Sequence, residues 1–167
     1  MVTSSEPLRA ESVLNELQRN GVTDVVYLPD TETGYMYSGL VQSDFRVIPV
    51  CREGESMAIA AGLIMGGRQP VVLIQNTGFF ESGDSIRGIC LDLKLPLVIL
   101  VGYRGYVGEG RTSPDSAAIY IEPILNAWGI PYHIITSDAN VHHISEAYRQ
   151  AQETGHTVVV LIGKEYE

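Results

Sequence analysis

Cysteine is scarce in this sequence, and the spacing of the two cysteines argues against a fold stabilised by disulfides or by zinc. Cys51 and Cys90 are the only two in 167 residues, and they form no CxxC pair. Neither a disulfide framework nor a zinc site is therefore expected. No apolar run approaches the length that spans a membrane. Residues 1–12 lack the basic and apolar regions of a signal peptide, so we expect a soluble, cytoplasmic protein.

Basic charge is also scarce, and the common nucleotide-binding motifs are missing. The formal net charge is −9, which argues against broad binding to nucleic acid or to an anionic membrane surface. No GxGxxG opens a helix, no Walker A pattern is present and no GxSxG elbow occurs. The sequence therefore offers no dinucleotide fingerprint, no P-loop and no hydrolase nucleophile.

Hydrophobic residues make up 45% of the chain, and many of them lie in six short runs. These runs are rich in β-branched residues and show little polar alternation, which is typical of parallel strands buried on both faces. They lie at residues 24–28, 45–50, 70–75, 96–102, 131–136 and 157–163. At this length, residues 1–167 are most simply one domain.

Three apolar stripes between these runs have the spacing of a helix face, and two of them end at a glycine. They are Leu8, Val13, Leu14 and Leu17 before Asn20-Gly21; Ile119, Ile124, Leu125 and Trp128 before Gly129; and Ile144, Ala147, Tyr148 and Ala151. Strands that alternate with helices predict an α/β fold. We expect a doubly wound, mostly parallel six-stranded sheet with helices on both faces.

Four polar clusters follow four of the predicted strands. In open α/β sheets, ligands bind beyond the carboxyl ends of the strands, so we expect these clusters to converge on one rim. The clusters are Pro29-Asp30-Thr31, Arg52-Glu53, Asn76-Thr77-Gly78 and Tyr103-Arg104-Gly105. Residues 102–118 have no hydrophobic period and several glycines, which favours a long functional loop.

The four histidines show no ligand spacing in the sequence. His142 and His143 are adjacent, so we expect their side chains to leave a helix in different directions and to have a surface or capping role. His133 and His156 have no partner at ligand spacing, and the same role is expected of them.

Two glutamates stand at the start of an otherwise apolar segment, CREGESMAIAAG, at residues 51–62. Glu53 and Glu55 can be first-turn residues that the helix dipole favours. Because they are two positions apart they do not share a helix face, and at most one of them can look into a site. The residues alone leave the structural and the functional interpretation open.

The segment that runs from Glu53 to Ala60-Ala61-Gly62 resembles the pyrimidine-binding domain of thiamine diphosphate enzymes. The stretches REGESMAIAAGLIMGGRQPVVLIQNTG, LPLVILVGYRG and IEPILNAWGIPYHII are similar to sulfopyruvate decarboxylase α subunits and to the corresponding half of phosphonopyruvate decarboxylases. The resemblance implies the α-type subunit of a thiamine diphosphate-dependent 2-keto acid decarboxylase. The alternatives are a lyase or carboligase subunit that uses the same cofactor, or a non-catalytic module that kept the fold.

The resemblance implies roles for two carboxylates. Glu53 has the position of the family's glutamate, which hydrogen-bonds a ring nitrogen of the cofactor's aminopyrimidine and so activates the cofactor. Glu55 would be a neighbour without that role. Asp30 matches an acidic residue near the reacting carbon that would transfer protons. The alternative for Asp30 is an Asx-type turn or a helix cap after Pro29.

The turn Asn76-Thr77-Gly78 matches the turn that lines the pyrimidine; the alternative is an ordinary strand-to-helix turn. Arg104 would meet an anionic 2-keto acid substrate or a cofactor phosphate, or it would form a surface ion pair. After Gly78 the family usually continues with Leu-Gly-Asn, whereas Phe79, Phe80 and Glu81 stand here. We expect Phe80 to change the shape of the pocket and Glu81 to add negative charge near it.

The family binds the cofactor's diphosphate through Mg²⁺ in a second domain that carries Gly-Asp-Gly. This sequence has Ser82-Gly83-Asp84 and no Gly-Asp-Gly, and its length is too small for both domains. The resemblance therefore implies a β-type partner subunit that supplies the Mg²⁺ and diphosphate site. It also implies a homo-oligomer, whose contact we expect at an apolar rim of Phe79, Phe80 and Ile86.

Overall fold

A computed structural model describes residues 7–108 and 111–163 and contains a six-stranded parallel sheet. The strands are β1 (Asp24–Tyr27), β2 (Arg46–Pro49), β3 (Pro70–Gln75), β4 (Val98–Gly102), β5 (Tyr132–Ile135) and β6 (Val158–Ile162). Their order across the sheet is β2-β1-β3-β4-β6-β5, and every neighbouring pair is parallel. All six predicted strands are confirmed, with ends that differ by at most two residues.

Helical segments connect the strands, as parallel pairing requires. The α-helices are α1 (Ala10–Arg19), α2 (Tyr37–Gln42), α3 (Glu53–Met65), α4 (Asn76–Glu81), α5 (Gly83–Ser85), α6 (Ser116–Ala127) and α7 (His143–Thr154). A π-helical stretch, Ile86–Leu91, follows α5. Two of the predicted helix ends lie at glycines with a left-handed backbone conformation: Gly21 has φ +68° and Gly129 has φ +67°.

The helices cover both faces of the sheet, and two apolar clusters result. Alternate strand residues point to opposite faces, so that Val71 and Leu73 of β3 belong to one cluster and Val72 and Ile74 to the other. The first cluster is completed by α1, α2 and α7, and the second by α3, α4, the π-helical stretch and α6. The doubly wound fold is therefore confirmed.

One predicted helix face is rotated in the structure. Helix α6 buries Ala118, Ile121 and Leu125, which are spaced three and four residues apart, against the sheet. Ile119 is 45% exposed, and Trp128 is 38% exposed at the end of the helix. The prediction that these two residues share the buried face was wrong, because the buried stripe includes Ala118, one residue before Ile119.

A buried carboxylate fixes the amino-terminal edge of the sheet. Asp24 begins β1, and its side chain is wholly buried. It accepts hydrogen bonds from Arg46 at 2.5 Å and from Arg68 at 2.8 Å. Burial alone would raise the pKa of this carboxyl, but the hydrogen bonds from Arg68, Thr23 and Arg46 outweigh burial and leave it lowered.

The adjacent histidines do not diverge as predicted. His142 is the residue before the first turn of α7, so its ring is free to swing over that turn. The rings of His142 and His143 lie 4.6 Å apart, and the ring of His133 on β5 lies 5.6 Å from that of His143. All three approach Glu146. His156, in contrast, is exposed beyond the other end of α7, as predicted.

No helix in residues 7–108 and 111–163 is both long enough and apolar enough to cross a membrane.

Candidate cofactor site

The chain changes direction across the sheet between β1 and β3. From β1 it moves outward to β2, and from β3 it moves the other way to β4, so these two strands mark the topological switch point. In open α/β sheets the crevice beyond the carboxyl ends of such strands is where ligands bind. Asp30, Glu53 and Asn76 follow β1, β2 and β3, at this end of the sheet.

Glu53 is the first residue of α3, and its side chain reaches across to the turn after β3. A Cβ atom built on Gly78 would lie 2.5 Å from Glu53 Cγ and 2.6 Å from its Oε1, so only glycine leaves room for this carboxylate. The side chain is half-buried, and no donor among residues 7–108 and 111–163 hydrogen-bonds it. The Glu53 carboxylate therefore keeps acceptor capacity that a ligand or water can use.

A second carboxylate fixes the start of α3. Glu81, at the end of α4, pairs with Arg52 and accepts a 2.8 Å hydrogen bond from the backbone N–H of Gly54. The hydrogen bond from Arg52 lowers the pKa of Glu81, and the Gly54 amide acts in the same direction. Glu81 therefore caps the helix from outside and holds the two residues that flank Glu53.

This pairing corrects two expectations about the segment after Gly78. Glu81 does not bring an unpaired charge to the crevice, because the Arg52 guanidinium offsets it. Phe79 and Ile86 are both 0% exposed within the second apolar cluster, and Phe80 packs partly buried against that cluster. The predicted apolar rim of Phe79, Phe80 and Ile86 was therefore wrong.

Glu55 differs from Glu53 in its surroundings. It lies in the same first turn of α3, but its side chain is exposed, and its nearest recorded charge interaction is with Arg52. Two carboxylates two positions apart project from different sides of a helix. Glu53 is half-buried whereas Glu55 is exposed, so Glu55 serves as a matched control.

Asp30 forms the turn that the sequence offered as its alternative role. Its Oδ1 accepts hydrogen bonds from the backbone N–H groups of Glu32 at 2.7 Å and Thr33 at 2.8 Å, and its Oδ2 accepts from Thr33 Oγ1 at 2.9 Å. Burial raises the pKa of Asp30, and the hydrogen bonds from Thr33 oppose that rise. The carboxyl lines an open pocket together with Tyr27, Pro29, Thr31, Gly34 and Tyr37.

Asn76 and Arg104 join the turn after β3 to the loop after β4. The buried Asn76 amide donates a 3.0 Å hydrogen bond to the Arg104 carbonyl. The Arg104 guanidinium is half-exposed and lies 3.0 Å from Asp115, which in turn caps α6 through the Ala117 N–H. The surface ion pair is thus the arrangement that the structure shows for Arg104. Thr77 is half-buried within the same turn.

Sequence reasoning missed three features of this region. The Gln75 side-chain oxygen, at the end of β3, is buried without a hydrogen-bond partner in the described part of the chain. Tyr27 and Tyr37 line the pocket beside Asp30, with ring centroids 6.4 Å apart. The Arg52–Glu81 pair joins residues 29 positions apart. The position of Gln75 at the end of an apolar run could have indicated its burial from the sequence. The Tyr27–Tyr37 and Arg52–Glu81 contacts depend on tertiary packing.

A doubly wound parallel sheet with polar side chains beyond the carboxyl ends of its strands is the arrangement of a ligand-binding α/β domain. The family described as "Thiamine pyrophosphate enzyme, N-terminal TPP binding domain" matches residues 9–119. Because this match covers well over half of the chain, the chain belongs to that family. The resemblance inferred from the sequence is confirmed.

Curated relatives with modest identity support the same assignment. The chain is 26% identical over 152 residues to "Sulfopyruvate decarboxylase" of Methanosarcina acetivorans, a match that covers 91% of this chain and 39% of that protein. It is 27% identical over 124 residues to "Sulfopyruvate decarboxylase subunit alpha" of Methanococcus maripaludis, covering 74% of each. It is 28% identical over 90 residues to "Phosphonopyruvate decarboxylase" of Streptomyces viridochromogenes, covering 53% of this chain and 23% of that protein.

A solved structure supports the fold. The crystal structure of benzoylformate decarboxylase from Polynucleobacter necessarius matches 93% of this chain and 30% of its own, with a TM-score of 0.75 and 21% identity. The chain therefore spans less than half the length of that enzyme and of the first curated relative.

The residues at the crevice fit the pyrimidine part of thiamine diphosphate. Glu53 has acceptors that no described residue uses, and the missing Cβ of Gly78 makes room for the Glu53 side chain itself. A half-buried carboxylate in this setting forms a stronger hydrogen bond than one in water. These are the properties that a partner for a ring nitrogen requires.

Proposed function

We propose that this chain is the α-type subunit of a thiamine diphosphate-dependent 2-keto acid decarboxylase. The observation that carries the proposal is the Glu53 carboxylate, which packs against Gly78 in a domain of this family and accepts no hydrogen bond from the part of the chain that the structure describes. The relatives whose names contain "sulfopyruvate decarboxylase" or "phosphonopyruvate decarboxylase" support the same reaction class.

In this proposal Glu53 would hold the aminopyrimidine of the cofactor. A carboxylate oxygen and an unprotonated ring nitrogen both accept hydrogen bonds, so one proton would be shared between a Glu53 oxygen and the ring nitrogen, a role that needs a positioned acid–base group. Gly78 lets the carboxylate lie flat against the turn, and Asn76 and Thr77 hold that turn beside the pyrimidine. The cofactor, when bound, supplies the nucleophilic carbon and the electron sink for the decarboxylation.

Asp30 and Arg104 act on the substrate side in this proposal. Burial raises the pKa of Asp30, which favours a carboxyl that can hold and return a proton while it remains anchored by Thr33. Arg104 carries its half-exposed guanidinium at the rim and could share it between Asp115 and a carboxylate, sulfonate or phosphonate group. Because Arg52 offsets the negative charge of Glu81, Glu81 adds no net charge that would repel an anionic substrate.

The proposal includes a β-type partner subunit that holds the diphosphate and Mg²⁺. The sequence has no Gly-Asp-Gly, and Asp84 of the nearest similar segment is highly exposed and pairs with Arg87. It also includes a homo-oligomer, which sedimentation of the purified chain tests directly. Since Phe79 and Ile86 are buried, the contact between copies must use a surface other than the rim first expected.

The experiment combines this chain with a candidate partner that carries Gly-Asp-Gly. The two are co-expressed, thiamine diphosphate and Mg²⁺ are added, and anionic 2-keto acids are screened for release of carbon dioxide. We expect release that requires both chains and the cofactor. Product from carboligation without carbon dioxide would favour the lyase or carboligase alternative. A complex that assembles but converts no keto acid would favour the non-catalytic module.

A further inference from the structure

Three histidines and one glutamate form a cluster at the opposite edge of the sheet. His142 precedes α7, His143 begins it, Glu146 lies one turn further along, and His133 projects from β5. Potential ligand atoms of His142, His143 and Glu146 lie within 4.8 Å of one another. Strand β5 is separated from β1 by four strand spacings, or about 19 Å, so the cluster is remote from Glu53.

Hydrogen bonds orient two of the imidazoles. His143 Nδ1 lies 3.3 Å from the Ile134 carbonyl oxygen, which can only accept, so Nδ1 carries the proton and Nε2 keeps its lone pair. His133 Nε2 lies 3.1 Å from Gln150 Oε1, which likewise leaves His133 Nδ1 as the acceptor. In a metal-binding histidine, one ring nitrogen usually binds the metal while the other donates a hydrogen bond to a neighbouring group. His133 and His143 both have this arrangement.

The nitrogen atoms so freed surround the Glu146 carboxylate at a uniform distance. Glu146 Oε2 lies 3.8 Å from His133 Nδ1 and 3.9 Å from His143 Nε2, and Oε1 lies 3.9 Å from His142 Nε2. These separations are too long for hydrogen bonds. The ligand atoms of His142, His143 and Glu146 lie within 4.8 Å of one another, and His133 lies outside that group. Ligands at about 2.05 Å from a tetrahedral ion lie about 3.3 Å apart, so the three would contract by up to about 1.5 Å and His133 would move toward them to close the site.

No cation competes for Glu146 within residues 7–108 and 111–163. Its recorded ion-pair partners are the three histidines, while the neighbouring charges are paired elsewhere, Arg149 with Glu153 and Asp138 with Arg9. Neutral imidazoles with one carboxylate suit borderline divalent metals such as Zn²⁺, Ni²⁺ or Cu²⁺ rather than Mg²⁺ or Ca²⁺.

We propose that His142 Nε2, His143 Nε2 and the Glu146 carboxylate bind a divalent transition metal, with His133 Nδ1 as a fourth ligand. The ion ties the edge strand β5 to the first turn of α7. Because the cluster shares no residue with the crevice, this site is independent of the proposed decarboxylase activity.

The test is a titration of Zn²⁺ into the metal-free full chain, produced without a polyhistidine tag. We expect one equivalent to bind at about pH 7.5, and binding to weaken as the pH is lowered to about 5.5, because protons compete with the metal for its ligands. His143→Gln and Glu146→Gln should each weaken binding by at least about tenfold. His156→Gln is the matched control at the far end of α7, and it should bind as wild type does.

A second measurement does not depend on the variants. Saturating Zn²⁺ should raise the Tm of the wild-type chain, because an ion that binds only the folded state stabilises it. The proposal is overturned if wild type binds no stoichiometric Zn²⁺, or if the Zn²⁺ that binds is undiminished in both cluster variants. It is also overturned if binding is lost in Cys51→Ser instead, since Cys51 is the exposed thiol.

Discussion

Replacing Gly78 with alanine tests whether the position of Glu53 matters. The new Cβ would lie 2.5 Å from Glu53 Cγ, 2.6 Å from Oε1 and 2.8 Å from Cδ. Carbon atoms in contact prefer about 3.5 to 4 Å, so the carboxylate must move by about 1 Å. A misplacement of that size in a catalytic group costs about 10²-fold in rate.

The same substitution should change stability little. Glu53 is half-buried and can swing toward solvent, and alanine is the better helix former within α4. We therefore expect Gly78→Ala to keep its Tm while kcat for carbon dioxide release falls about 10²-fold in the assembled complex. The assay pairs thermal circular dichroism of the chain with steady-state turnover.

Gly62→Ala is the control for Gly78→Ala. A Cβ on Gly62, within α3, meets no atom within 4 Å. This substitution should stabilise the chain by about 0.5 to 1 kcal/mol and leave kcat unchanged. Wild-type kcat in Gly78→Ala would refute the reasoning, because the carboxylate could then be displaced without consequence.

Two further predictions concern stability. Asp24→Asn should lower the free energy of unfolding by about 1 to 2 kcal/mol at neutral pH, since its charged hydrogen bonds weaken and the arginines are partly exposed. The folded-state pKa of Asp24 lies below its ordinary value of 3.8. Its contribution is therefore present above about pH 4 and lost as the pH falls through the folded value, so acid denaturation curves of variant and wild type should converge. Glu81→Ala should lower Tm by less than Asp24→Asn, because its pair with Arg52 is exposed; a larger loss would mean that the cap on α3 carries more than a surface interaction.

The sequence was sufficient for the architecture because the relevant signals are local. The continuous β-branched run at Pro70–Gln75 specifies a buried strand whatever surrounds it, and Gly21 can end a helix through its own conformation. The place of Glu53 at the start of a helix also followed, since an apolar segment that opens on a glutamate after a strand is a local pattern, whereas its proposed role rested on the family resemblance.

The contacts between distant segments could not be predicted. The burial of Phe79 depends on where α6 packs. The ring centroid of Trp128, just after α6, lies 6.1 Å from that of Phe79. The approach of His133 to Glu146 depends on how α7 crosses β5, which no spacing in the sequence encodes. Side-chain pairing across elements is a tertiary property, and sequence spacing reports only neighbours on one element.

The central claim is that the Glu53 carboxylate activates the cofactor, and one measurement tests it most directly. Glu53→Gln and Glu55→Gln are each assembled with the partner, thiamine diphosphate and Mg²⁺, and proton–deuterium exchange at the thiazolium carbon is followed. Glutamine keeps the size of the side chain but cannot share a proton with the ring nitrogen. We predict that exchange slows by about 10² to 10⁴ in Glu53→Gln, the usual contribution of a positioned acid–base group, and is unchanged in Glu55→Gln. Exchange as fast as wild type in an assembled Glu53→Gln complex would contradict the claim and leave Glu53 as a first-turn carboxylate of α3.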